Sequence, residues 1–222
     1  MREVDGLTVK EAGISLLQMM ENAGRCLALQ ARVMLLGDVL DRRVTVLAGP
    51  GGNGGGGLAA ARRLAVWGAD VEVVLASPPS ALADAPAHQL ASLEWMGVRI
   101  RETGPVGDSD LLLDAIFGYS LSGPPTGRPA ELIEAANAWP TPILALDLPS
   151  GLHPDSGEAS EPTIRATATV TLALPKAGLL KPGARAWVGD LYLADISVPA
   201  RVYQHLGLEV GPIFAQSDLI AI

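Results

Sequence analysis

Cysteine is nearly absent from the chain: Cys26 stands alone, which rules out an internal disulfide and a cysteine-cluster metal centre. Its neighbours suggest a buried thiol on a helix. Histidine is scarce and scattered. His88 reads as a surface residue of a helix, His205 lies near the C-terminus, and only His153 falls beside a predicted loop, so neither zinc chemistry nor a Ser-His-Asp arrangement has support. Aromatic residues are only 4% of the total, so the core has to be built from Ala, Val, Leu and Ile, which suit close packing of helix on sheet. Positive charge is also short: 16 Lys and Arg against 24 Asp and Glu leave a formal net charge of −8. Bulk electrostatics then speak against nucleic acid or an anionic membrane as partner, and an anionic ligand has to be held locally. Long apolar runs are missing as well. Although 49% of residues are hydrophobic and mean hydropathy is +0.30, no stretch approaches the roughly 18 residues of a membrane span. The opening MREVDG has no apolar core of a secretory signal, so a cytoplasmic address is expected.

Glycine is what the chain has in excess. There are 25, and many of them crowd into GPGGNGGGG at 49–57, a run that points to a site built from backbone. The length suits one α/β domain covering 1–222, with no tract that reads as a linker. Between 14 and 36, Leu16, Met20, Ala23, Leu27, Ala31 and Met34 form the apolar stripe of a helix, opposite Glu21, Asn22, Arg25 and Arg32. Leu16, Met19 and Met20 can face core or interface, with core the simpler reading. A buried strand at 44–48 precedes the glycine run, read as a loop, and LAAARRLAVWG has helical composition. Further strands are expected at 71–76, 98–100, 111–113, 143–146, 167–174 and 191–196, the last closing the series. Helices are expected at 81–96, ending at Gly97, and at 130–138. This interleaving predicts a three-layer α/β/α sandwich, Rossmann-like, around a mostly parallel, doubly wound sheet.

In such sheets ligands sit beyond the carboxyl ends of the strands, and three of those ends carry chemistry. Gly49, Gly51 and Gly54 satisfy G-x-G-x-x-G between strand and helix. Glycine lets backbone approach a ligand and a helix start offers N–H groups to phosphate, although the same residues can simply make a tight turn. No Lys-Ser or Lys-Thr pair follows, which argues against ATP hydrolysis of the P-loop type. The second strand ends in Ala76-Ser77 where a dinucleotide fold wants an acid for the ribose, and Glu72 comes too early to serve. Asp114 and Asp147 each terminate an apolar strand on the edge shared with the glycines. Either alone can cap a helix or receive backbone N–H bonds; two facing one glycine run point to a site. Gly118, Tyr119, Ser120, Ser122 and Gly123 follow the first, Ser150 the second, and Asn53, Asp114 and Ser150 offer oxygen ligands to a hard cation.

Taken in order, MMENAGR, VLAGPGGNGGGGLAAARRL, DAIFGYSLSG, ALDLPSG and VTLALPKAG resemble the NAD(P)H-hydrate epimerase family over nearly the whole chain. The resemblance implies a homodimer, a bound potassium ion, and interconversion of the R and S forms of hydrated NADH and NADPH. A separate ATP- or ADP-dependent dehydratase would then consume the S form. By position, it assigns the potassium ligands to Asn53, Asp114 and Ser150. It assigns substrate binding to Gly52, Asn53, Gly54, Gly55 and Gly56, to Gly118, Tyr119, Ser120, Leu121, Ser122, Gly123 and Pro124, and to Asp147, which is also the catalytic acid/base. The family loop commonly reads GPGNNGGDG, so Gly52 stands where Asn is usual and Gly56 where Asp is usual; His153 replaces an acid often found after PSGL. These departures keep a second reading open, a nucleotide-binding module of the same fold with impaired catalysis. An ordinary NAD(P)-dependent oxidoreductase ranks third, because the ribose acid is missing.

Overall fold

The computed structural model describes residues 1–104, 107–121 and 123–222. Its centre is one sheet whose β-branched and leucine-rich strands are buried on both faces, as expected where helices cover a parallel sheet. In chain order the strands are β1 (Arg43–Ala48), β2 (Asp70–Leu75), β3 (Arg99–Arg101), β4 (Leu111–Ala115), β5 (Ile143–Leu146), β6 (Ala168–Leu172), β7 (Asp190–Ala194) and β8 (Leu219–Ala221). They lie side by side as β3-β2-β1-β4-β5-β6-β7-β8. Every pair is parallel except β7 with β8. The helices are α1 (Arg2–Lys10), α2 (Leu16–Met34), α3 (Gly52–Val66), α4 (Asp84–Trp95), α5 (Arg128–Ala138), α6 (Arg185–Val188) and α7 (Ala200–His205).

Alternate residues of each strand feed opposite layers. Val46, Ala48, Leu113 and Leu144 pack with Leu27, Leu58, Leu64 and Leu93 from α2, α3 and α4. Leu47, Leu112, Ile143 and Ala145 pack on the other face with Leu132, Ile133 and Ala136 of α5. These three layers are the sandwich expected from the sequence. No helix among the described residues is long and apolar enough to cross a membrane.

Two expectations need correction, and one element was not expected. The glycine run is a loop only at 49–51: Gly52 to Gly57 form the first turns of α3. Helix propensity disfavours that, and tertiary packing overrides it, because there is no room for side chains. A Cβ on Gly24 of α2 would sit 2.8 Å from the Ala60 nitrogen and from the Gly56 oxygen, and one on Gly56 would sit 2.8 Å from Leu146. The glycines therefore bring the backbones of α2 and α3 together and let α3 sit directly on the Leu146 side chain of the sheet. Nor does the strand at 191–196 close the series, since antiparallel β8 pairs beyond it. Finally, the N-terminus forms α1, docked through Val4 on Val202 and Tyr203 of α7.

Candidate active site

The strand order turns in opposite directions on either side of β1, and the ends of β1, β4 and β5 open there, at the switch point where doubly wound sheets bind ligands. A cavity of about 500 Å³ lies at this place. Gly52, Asn53, Gly118, Tyr119, Ser120 and Asp147 line it, as do Met1, Asp5, Asp84 and Lys176. Leu16, Met19, Met20 and Ala23 of α2, with Leu172 and Ile196, make its apolar wall. The two methionines, though buried, thus face a cavity as well as the core. The other predicted contacts lie elsewhere. Gly54, Gly55 and Gly56 are buried inside α3, Leu121 is half-buried, Gly123 and Pro124 are exposed, and Ser122 falls outside the described residues. His153 is exposed, its Nδ1 accepting the Asp155 and Ser156 N–H groups of a local turn.

Asp147 follows β5 in a left-handed conformation, φ 67°. Asparagine and aspartate tolerate that region better than most residues, and here it turns a carboxylate off the end of a buried strand. Its N–H donates to the Val170 oxygen at 2.7 Å, which fixes the turn. Both carboxylate oxygens are taken: the Lys176 Nζ donates to Oδ1, and the Tyr119 N–H donates to Oδ2 at 3.0 Å. The ion pair is buried, the two side chains being 5% and 4% exposed. Lys176 also donates to the Leu172 oxygen at 2.9 Å and the Thr171 hydroxyl at 3.3 Å, so its three N–H groups are all used. Sequence reasoning missed this lysine. The signal was present in VTLALPKAG, where one Lys follows a buried strand, but only the sheet shows that β6 lies beside β5.

Asp114 is completely buried at the end of β4. Its Oδ1 accepts the Ser150 hydroxyl at 2.6 Å and the Ile116 N–H at 3.2 Å, and its Oδ2 accepts the Ser150 N–H at 2.7 Å. Burial pushes the carboxyl up to about 6 despite these three bonds. The Ser150 hydroxyl accepts the Phe117 N–H at 2.9 Å, and the Asn53 Nδ2 donates to the Phe117 oxygen at 2.9 Å. Asn53, Asp114 and Ser150 are therefore knitted together around one residue, Phe117. No protein cation pairs with Asp114 among the described residues, so a hard cation would fit this oxygen set and offset its charge.

A second carboxylate enters from α1. Asp5 accepts the Tyr119 phenol on Oδ2 at 2.6 Å. Neither composition nor motif singled it out, because it reaches the site through the docking of α1 on α7 and of Met1 on the cluster of Met19, Ala23 and Ile196.

The sequence matches the family described as YjeF-related protein N-terminus over residues 16–178. A protein of Dehalogenimonas lykanthroporepellens named NAD(P)H-hydrate epimerase is 47% identical, over 94% of this chain and 84% of its own length. The bifunctional NAD(P)H-hydrate repair enzyme Nnr of Moorella thermoacetica is 37% identical, over 91% of this chain and 40% of its own. Among solved structures, yeast ynu0, YNL200c, superposes with a TM-score of 0.78 at 25% identity, covering 100% of this chain and 96% of that one. The chain belongs to the YjeF-related protein N-terminus family.

Proposed function

We propose that this protein interconverts the R and S hydrates of NADH and NADPH, with Asp147 as the acid/base group. The observation that carries the reading is a single cavity at the switch point in which the buried, lysine-paired carboxylate of Asp147 faces the start of α3. Relatives named NAD(P)H-hydrate epimerase support it. The hydrates carry a hydroxyl on the ring carbon next to nitrogen, and inverting that carbon needs a group that takes and returns a proton. Lys176 and the Tyr119 N–H hold the carboxylate in one place for that task. Met19, Met20 and Ile196 offer an apolar face to the reduced ring. The first N–H groups of α3 that line the cavity, at Gly52 and Asn53, have no intrahelical acceptor and suit the diphosphate; no arginine lines the cavity among the described residues.

Potassium belongs to the same proposal. Asn53, Asp114 and Ser150 would hold it, and it would supply the positive charge that Asp114 lacks and steady the 117–120 segment through Phe117. So do a homodimer, a cytoplasmic location and a partner ATP- or ADP-dependent dehydratase that consumes the S form; the bifunctional name of the Moorella relative supports a coupled second repair activity.

The test is Asp147→Asn on purified hydrates, followed chromatographically. A loss of about 100- to 10,000-fold is expected, the usual contribution of general acid-base help; an unchanged rate overturns the assignment. Hydrate binding by the wild type without interconversion would establish the second reading, a binding module, which Gly52 in the cavity wall favours. Replacing potassium by tetramethylammonium is expected to lower the rate and the unfolding midpoint. No change in either counts against the cation.

A further inference from the structure

We infer that Asp5 is a second catalytic carboxyl, acting on the substrate from the far end of Tyr119 from Asp147, in the cavity that both line; the inference rests on the epimerase reading. Tyr119 carries the geometry. Its backbone N–H donates to Asp147 at 3.0 Å and its phenol donates to Asp5 at 2.6 Å. The two carboxylates are thus fixed at the two ends of one tyrosine, with Gly118, Ser120 and the α2 methionines lining the same space. The Asp5 Oδ1 has no hydrogen-bond partner among the described residues, and Asp5 is half-buried on a helix that lies outside the matched segment 16–178. Burial and the nearby Asp147 charge push the Asp5 carboxyl up, against the Tyr119 bond that favours its ionised form. Two carboxyl groups in different surroundings are the usual signature of an acid and a base in one site.

Inversion at a single carbon gives each a task. The Asp5 carboxyl donates its proton to the departing hydroxyl; the C–O bond breaks, water leaves, and the ring nitrogen supplies an electron pair to form an iminium. Water on the opposite face then adds to the same carbon, the C=N pair returns to nitrogen, and the proton of the added water passes to Asp147. One proton has moved from Asp5 to Asp147, and exchange with solvent or turnover in the reverse direction restores both. No oxidant or further reactant is needed. A single carboxylate would suffice for ring opening, in which the oxygen stays on carbon as the aldehyde. The arrangement of two therefore predicts that oxygen is exchanged with water.

The experiment compares wild type, Asp5→Asn, Asp5→Glu and Tyr119→Phe in the full chain, reading kcat and KM for epimerisation and incorporation of oxygen from 18O-labelled water. Asp5→Asn is expected to lower kcat about 100- to 10,000-fold, with KM within a few-fold of wild type, and to slow label incorporation in parallel. Asp5→Glu, which keeps a carboxyl, is expected to retain more activity than Asp5→Asn. Tyr119→Phe removes the phenol and leaves the carboxyl, so its loss is expected to be at least tenfold smaller. Equal losses in Asp5→Asn and Tyr119→Phe would make Asp5 only a holder of the tyrosine and overturn the inference. So would an undiminished kcat in Asp5→Asn, or wild-type epimerisation without label. A wild type that binds the hydrates but never equilibrates them refutes the epimerase reading itself, a result distinct from all of these.

Discussion

Lys176 and Asp147 form the most consequential pair at the scale of single residues. Two opposite charges with almost no exposure are tolerated only because each satisfies the other and the lysine's remaining N–H groups reach Leu172 and Thr171. Lys176→Met leaves the carboxylate buried and unpaired. A stability loss of about 3–5 kcal/mol is expected by analogy with other broken buried pairs, read by urea unfolding. Asp147→Asn in the same background should recover part of it, because a neutral amide tolerates burial better; if the second substitution recovers nothing, the charge was not the cause. Asp147, Asp114, Ser150 and Asn53 could be singled out in the sequence because strand ends and polar loops announce them, and the structure brings Asp114, Ser150 and Asn53 together around Phe117 and puts Asn53 and Asp147 in the cavity. Lys176 and Asp5 were not, since their role depends on neighbours far away in the chain.

Among the elements, α2 and α3 are joined by glycine on the inside and by charge on the outside. Glu21 of α2 receives the Arg62 guanidinium, the Arg63 Nη2 at 3.0 Å and the Gln89 amide at 2.9 Å, tying α2 to α3 and α4. Burial works to raise its carboxyl, but the Gln89 and Arg62 bonds outweigh it and hold the group below the ordinary value of 4.5. A carboxyl depressed on folding contributes stability above its unfolded pKa, and the contribution fades as pH falls through the lower folded value. The stability difference between wild type and Glu21→Gln is therefore expected to be full at pH 7 and to shrink below about pH 4.5, measured by unfolding across that range. A difference that stays constant with pH would show that the carboxylate's charge is irrelevant. Strands β1 to β7 were readable from apolar runs bounded by turns, and β8 was not. The glycine run misled because glycine's usual meaning, a flexible loop, is overridden where two backbones touch, and no spacing rule records that contact.

For the whole molecule, the two chain ends complete what the central repeat of strand and helix leaves open. The final strand covers the edge of β7, Asp218 pairs with Arg25 of α2 at 2.7 Å, and Cys26 sits fully buried with its Sγ 3.7 Å from the Asp218 oxygen. Burial pushes the Cys26 thiol up to about 11, so it is expected to be inert to thiol reagents at pH 8. Removing residues 217–222 uncovers the β7 edge, and two results are expected: Cys26 becomes reactive, and light scattering rises with protein concentration as open edges pair. A truncated chain whose thiol stays protected and which stays monodisperse would refute that role for β8. By itself the sequence determined the alternation of strand and helix, hence the layered sheet, and the polar residues at strand ends, because both follow from local patterning and from where buried strands stop. Only the tertiary structure decided that the glycines are helical, that Lys176 meets Asp147 and that α1 delivers Asp5, because each depends on which backbones and side chains become neighbours when distant segments pack.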